Sequence, residues 1–82
     1  MSRKKIWEAY YLTHFLLTDF QTTGGICSME AEEELFYLLL DFLDKKRTEK
    51  QVLEEIDCYF GLTKHNLTRA IKDYEKYERR VL

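Results

Sequence analysis

The 82-residue sequence has no proline and only three glycines, two of them adjacent at Gly24 and Gly25. Proline removes a backbone donor and clashes with the preceding turn, so its absence leaves long helices uninterrupted. Strand signals are also scarce: Val, Ile and Thr are scattered, and no stretch alternates apolar with polar for more than a few residues. No apolar run reaches the roughly 18–20 residues that span a bilayer, so no membrane segment is expected. Cys27 and Cys58 form no Cys-x-x-Cys pair, and the start does not read as a signal peptide. That pattern fits reduced thiols in a cytoplasmic protein. Histidine is limited to His14 and His65, neither with a second ligand at metal spacing, so no metal site is expected.

Catalytic patterns are missing as well. Gln21-Thr-Thr-Gly-Gly25 lacks the spacing of a phosphate-cradling loop and reads as a helix connection. No motif supplies a nucleophile, a base and an orienting acid together. The sequence reads as a binding protein, not an enzyme, and implies no cofactor.

Apolar residues make up 45% of the chain and aromatics 15%, enough for the core of one small domain. The expected fold is all-α: a compact bundle of four helices at about 4–20, 29–46, 49–60 and 64–80. Met1 to Lys5 reads as a short solubilising basic start, with contact to phosphate as its alternative. Helix 1 has an apolar stripe built on Ile6, Ala9, Tyr10, Thr13, Leu16, Leu17 and Phe20, widened by Trp7, Tyr11 and Phe15. A stripe that wide covers more than one neighbour. Helix 2 should start after Ser28 with Glu30, Glu32, Glu33 and Glu34 near the positive end of its dipole. Its Leu35–Leu43 run holds one charge, Asp41, which should reach the surface or meet a cation. That run predicts the central helix of the core, with the others packed about it. Asp44-Lys-Lys-Arg47 should place cations at the negative end of helix 2. Thr48 and Gln51 have the spacing of a capping box at the start of helix 3.

Charge is unevenly spread. The chain totals −2, yet residues 1–27 sum to +1, residues 28–60 to −6 and residues 61–82 to +3. The basic end coincides with a distinctive pattern. Val52, Leu53, Ile56 and Phe60 recur at helical steps, and Gly61 then supplies the left-handed backbone that often ends a helix. Leu62 is an apolar plug, and Thr63 can cap the next helix by accepting a backbone N–H bond. That helix aligns Leu67, Ala70, Ile71 and Tyr74 on one face, with Lys64, His65, Thr68, Arg69 and Lys72 mostly on others.

Gly61-Leu62-Thr63, Leu67 six residues after the glycine, Ala70-Ile71 beyond it and Ile56 before the turn resemble the phage repressor and Cro class of helix-turn-helix proteins. The resemblance spans roughly residues 52–74. It implies a helix-turn-helix unit at about 49–80 that binds double-stranded DNA. It also implies base contacts from Lys64, His65, Thr68 and Arg69, with Lys72 beside them, because the start of a recognition helix enters the major groove. The class usually has a small residue four positions before the turn glycine, where the helices touch. Here Asp57 stands there, which requires a partner for the carboxylate or a wider crossing. Cys58 could take the contact if the helix is rotated.

Proteins of this class commonly double a weakly specific helix through two-fold symmetry. Trp7, Tyr10, Tyr11 and Phe15, with Tyr74, Tyr77, Val81 and Leu82, therefore form a candidate homodimer surface. Closure of the monomer's own core is the alternative use for them. The other functional class is a small interaction module that binds a protein partner through its acidic residues 28–60 or its aromatic surface.

Overall fold

Local chemistry favours helix over most of the chain, and four helices form: α1 Arg3–Thr22, α2 Met29–Leu43, α3 Glu49–Phe60 and α4 Lys64–Val81. The computed structural model describes residues 3–22, 24–25 and 28–81, with the backbone alone for Val81. Expectations placed on Met1, Ser2, Cys27, Leu82 and the Val81 side chain lie outside the described residues. The fold is an all-α four-helix bundle.

Specific side chains set the helix ends. Ser28 Oγ accepts the Ala31 N–H at 3.1 Å and caps α2. Thr48 and Gln51 close a reciprocal capping box at α3: Thr48 Oγ1 accepts the Gln51 N–H at 3.2 Å, and Gln51 Oε1 accepts the Thr48 N–H at 2.9 Å. Gly61 ends α3 at φ 63°, and its N–H donates to the Asp57 carbonyl at 3.0 Å. At Gly25 a side chain is excluded for a different reason. A Cβ there would overlap the Phe20 ring, which packs edge-on to Phe60 at 5.2 Å.

α2 ends three residues earlier than expected. Lys45 takes a left-handed φ of 62°, and the Lys46 and Arg47 N–H groups turn back to the Asp41 carbonyl. Lys45, Lys46 and Arg47 therefore lie beyond the helix, where Lys46 pairs with Asp44 at 3.7 Å. Arg47 sits between Glu55 at 2.7 Å and Asp41 at 3.5 Å. The basic start is not a loose terminus in its described part. α1 begins at Arg3, and Lys4 bonds Glu78 of α4 at 2.7 Å while Lys5 meets Asp44 at 3.3 Å.

The hub of the bundle is α1, not α2 as the Leu35–Leu43 run predicts. α1 packs on both α2 and α4, whereas α2 packs mainly on α1 and α3. The reason lies in the two faces of α1. Ala9, Leu12, Leu16 and Leu17 are buried, and Tyr11 and Phe15 extend the contact toward α4. α2 buries only Leu35, Leu38 and Leu39 fully, and Tyr37 projects to solvent. Buried Thr13 satisfies its hydroxyl within α1 by donating to the Ala9 carbonyl at 2.7 Å. Among the described residues no buried side-chain polar atom lacks a partner, and no helix is long and apolar enough to cross a membrane.

Candidate nucleic-acid interface

The residues that carry the helix-turn-helix resemblance bury as a set. Ile56, Leu62, Leu67 and Ala70 are each almost fully enclosed, and Ile71 is partly so. They belong to the core of the whole bundle, in which α3 packs chiefly on α2 and α4 on α1, so those neighbours place the two helices on either side of the turn. Asp57 does not occupy a helix contact. It is exposed, as is Cys58, so the carboxylate stays hydrated and the crossing needs no partner for it. Neither residue fills the place that a small side chain takes in the repressor class.

Capping at the start of α4 runs opposite to the expectation for Thr63. Its hydroxyl donates to Asn66 Oδ1 at 3.0 Å, and its N–H donates to the same oxygen at 2.9 Å. Asn66 therefore closes the first turn, while the Thr63 carbonyl accepts the Leu67 N–H at 3.2 Å.

All five candidate contact residues reach the outer surface of α4, though not equally. Lys64, His65, Arg69 and Lys72 are exposed, and Thr68 is half-buried. His65, Thr68, Arg69 and Lys72 line one shallow groove, joined by Asp73 and Lys76. Lys64 is set apart: it faces Glu49 of α3 at 4.0 Å and lines a neighbouring hollow with Glu54 and Asp57. Arg69 leans toward α1, with its guanidinium bonded to Asp19 Oδ1 and lying over the Phe15 ring at 5.6 Å. Lys76 also belongs to the face, beyond the five residues that the resemblance implies. Its signal in the sequence is its place one helical turn after Lys72.

The acids of α4 mostly turn inward. Asp73 accepts the Tyr11 hydroxyl, and Glu78 takes Lys4. The hydrogen bond to Asp73, helped by burial, pushes the Tyr11 phenol up to about 12. Burial and the nearby Glu78 carboxylate raise Glu8 above the usual carboxylate range. Lys72 and Lys76, by contrast, have no ion pair among the described residues. The result is a mainly cationic groove on α4, with Asp73 at its edge bonded to Tyr11, Glu78 held by Lys4 and Glu75 exposed.

The candidate dimer surface divides in two. Tyr74 is buried, and Tyr11 packs on it edge-on at 5.4 Å while stacking on Tyr77 at 5.1 Å. Those three close the monomer's own core, and Phe15 is partly covered beside them. Trp7 and Tyr10 stay open, 51% and 54% exposed, stacked at 6.1 Å. With Ile6, Arg3 and Phe36 they line a hollow that is nearly all apolar.

A second surface lies between α2 and α3. Glu30, Glu33, Glu34, Asp41 and Glu55 border this groove, with Tyr37 and Tyr59 exposed at 62% and 68%. Among the described residues no group of His, Cys, Asp and Glu is placed to hold a metal ion. Comparison with known proteins gives no match among family models, curated proteins or solved structures.

Proposed function

We propose that this chain is a small helix-turn-helix DNA-binding protein of the cytoplasm, a transcriptional regulator or a phage or plasmid accessory factor without enzymatic activity. The outer face of α4 would lie in the major groove of double-stranded DNA. One observation carries this reading: His65, Arg69, Lys72 and Lys76 are exposed on one groove of α4 with half-buried Thr68, and the one acid beside them, Asp73, is bonded to the Tyr11 hydroxyl of α1. The major groove, about 12 Å wide, admits a helix. Lysines along the helix flank then meet phosphates and release counterions, which makes affinity fall with salt.

The open Ile6–Trp7–Tyr10 patch supports a homodimer, since aromatics are enriched and charges depleted at the centre of such interfaces. Such a dimer should place two recognition helices about 34 Å apart, one turn of the duplex. Sedimentation equilibrium should give twice the 10.0 kDa chain mass.

Fluorescence anisotropy with a random duplex, titrated across a salt series, tests the function. Log affinity should fall linearly with log salt, and Lys72→Ala should reduce the slope by about 1. Absence of binding, or a slope that ignores Lys72, rejects the reading. The acidic α2–α3 groove with its two exposed tyrosines favours a second one, an interaction module for a basic protein partner. The exposed acids Glu49, Glu54 and Asp57 beside the start of α4 also favour it, because they repel phosphate. Under that reading Lys72→Ala changes nothing, and Tyr37→Ala with Tyr59→Ala removes binding of the partner.

A further inference from the structure

We propose that Asp19 is a positioning residue that holds Arg69 as a reader of guanine, so that α1 sets the base preference of α4. This inference rests on the DNA-binding reading above. Asp19 lies near the end of α1, its side chain only 15% exposed, and each carboxylate oxygen has a partner on α4. Oδ1 takes the Arg69 Nη2 donor, and Oδ2 accepts the Asn66 side-chain amide at 3.1 Å. Asn66 in turn holds the Thr63 N–H and hydroxyl. One unbroken chain of bonds thus runs from the first residue before α4, through Asn66 and Asp19, to the guanidinium of Arg69.

Phe15 completes the clamp. Its ring lies against the guanidinium at 5.6 Å and takes up one π-face. Asp19 uses one of five N–H donors, which leaves others for a ligand while fixing the plane of the group. An arginine already ordered has less rotamer entropy to lose on binding. Guanine presents N7 and O6 side by side in the major groove, and a guanidinium meets both with two parallel donors.

The same carboxylate discourages the other use of an arginine. A cation neutralised by Asp19 gains little from a phosphate, whereas unpaired Lys72 and Lys76 gain fully. Labour on the face divides accordingly: the lysines hold the backbone, and Arg69 reads a base.

Duplexes selected from a random pool would be re-measured with each base exchanged in turn, using wild type, Asp19→Asn, Arg69→Ala and the double variant. Asp19→Asn keeps the shape and an oxygen for Asn66 but removes the charge. It should lower the preference for guanine at one position about five- to a hundredfold, with other positions within about twofold, while affinity for unrelated duplexes holds or rises because the freed guanidinium can then meet phosphate. A merely structural role would instead weaken every position together. The double variant should be no worse at that position than Arg69→Ala alone, because the two residues act as one unit.

Retained guanine preference in Asp19→Asn overturns the inference while leaving DNA binding intact. A gain of affinity on all duplexes with the guanine preference kept overturns it too, since Asp19 would then only screen Arg69. If wild type binds no duplex, both this inference and the reading beneath it fall. Should a thermal melt find Asp19→Asn unfolded, Phe15→Leu decides: it keeps the packing and removes the ring, and an unchanged guanine preference overturns the inference.

Discussion

The outer faces of α4 and of the α2–α3 pair are both rich in charge and end with opposite character. On α4 the acids Asp73 and Glu78 are engaged by Tyr11 and Lys4, and the cations Lys72 and Lys76 are left outward. Around α2 and α3 two of the cations, Lys46 and Arg47, are engaged by acids. Arg47 lies between Asp41 and Glu55, and Lys46 sits 3.7 Å from Asp44, while Glu30, Glu33, Glu34 and Glu54 remain exposed. A net charge of −2 therefore conceals a molecule with a basic side and an acidic side. Polarity of this kind is set by which charges the fold takes inward, not by their sum, and it is what steers partners.

Both sides hang from one core, so the strongest way to break the contrast is to break the core. Leu39→Ala empties a fully buried site in α2 and should cost about 2–5 kcal/mol. For a domain this small that is much of the total stability. Thermal denaturation followed by circular dichroism checks it, and a melt within a degree or two of wild type would refute the packing described. A more selective cut is Gly61→Val, which acts on the joint between the two regions. Nothing lies within 4 Å of a Cβ at Gly61, so the cost comes from the left-handed backbone alone, at φ 63°. It should be about 1–2 kcal/mol. Gly61→Ala, which has a Cβ but no branch, should recover part of it; equal stability of all three proteins would contradict the turn.

The joint itself was legible, because its signals are local. Thr48 and Gln51 mark the start of α3 by spacing, and Gly61 marks its end by chemistry, so both bounds fall where expected. The end of α2 was not legible. Lys45 adopts a left-handed φ without being glycine, and nothing in its side chain announces that. Adjacent Tyr10 and Tyr11 share an apolar stripe, yet one is open and the other sits among Tyr74 and Tyr77. Helical phase separates them only once the position of α4 is known. The exposed cations of α4 could be read from helical phase. The Asp19 clamp could not, since Asp19 and Arg69 are 50 residues apart and meet only through the docking of α1 on α4.

The subtlest contrast lies in how α4 disposes of its acids, and Tyr11 tests it with the smallest expected effect. The Tyr11 hydroxyl donates to Asp73, and that bond, more than burial, raises the phenol from 10.0 to about 12. A group whose folded value lies above its unfolded value favours the folded state fully below the unfolded one. That contribution fades as pH rises from 10.0 through about 12, when the folded phenol loses its proton. Tyr11→Phe keeps the ring between Tyr74 and Tyr77 and removes only the donor. At neutral pH it should cost about 0.5–1 kcal/mol, since Asp73 is only half-buried and water can replace the bond. Urea denaturation of both proteins at neutral pH and again between the two values should find the difference shrinking with pH, because the Tyr11 phenol, present only in wild type, ionises in the unfolded chain before it does in the folded one. Tyr74, raised chiefly by burial, titrates in both proteins and drops out of the comparison. If the gap between the proteins stays constant across that range, the Tyr11 hydroxyl does not hold Asp73, and the inward draw on that acid has another source.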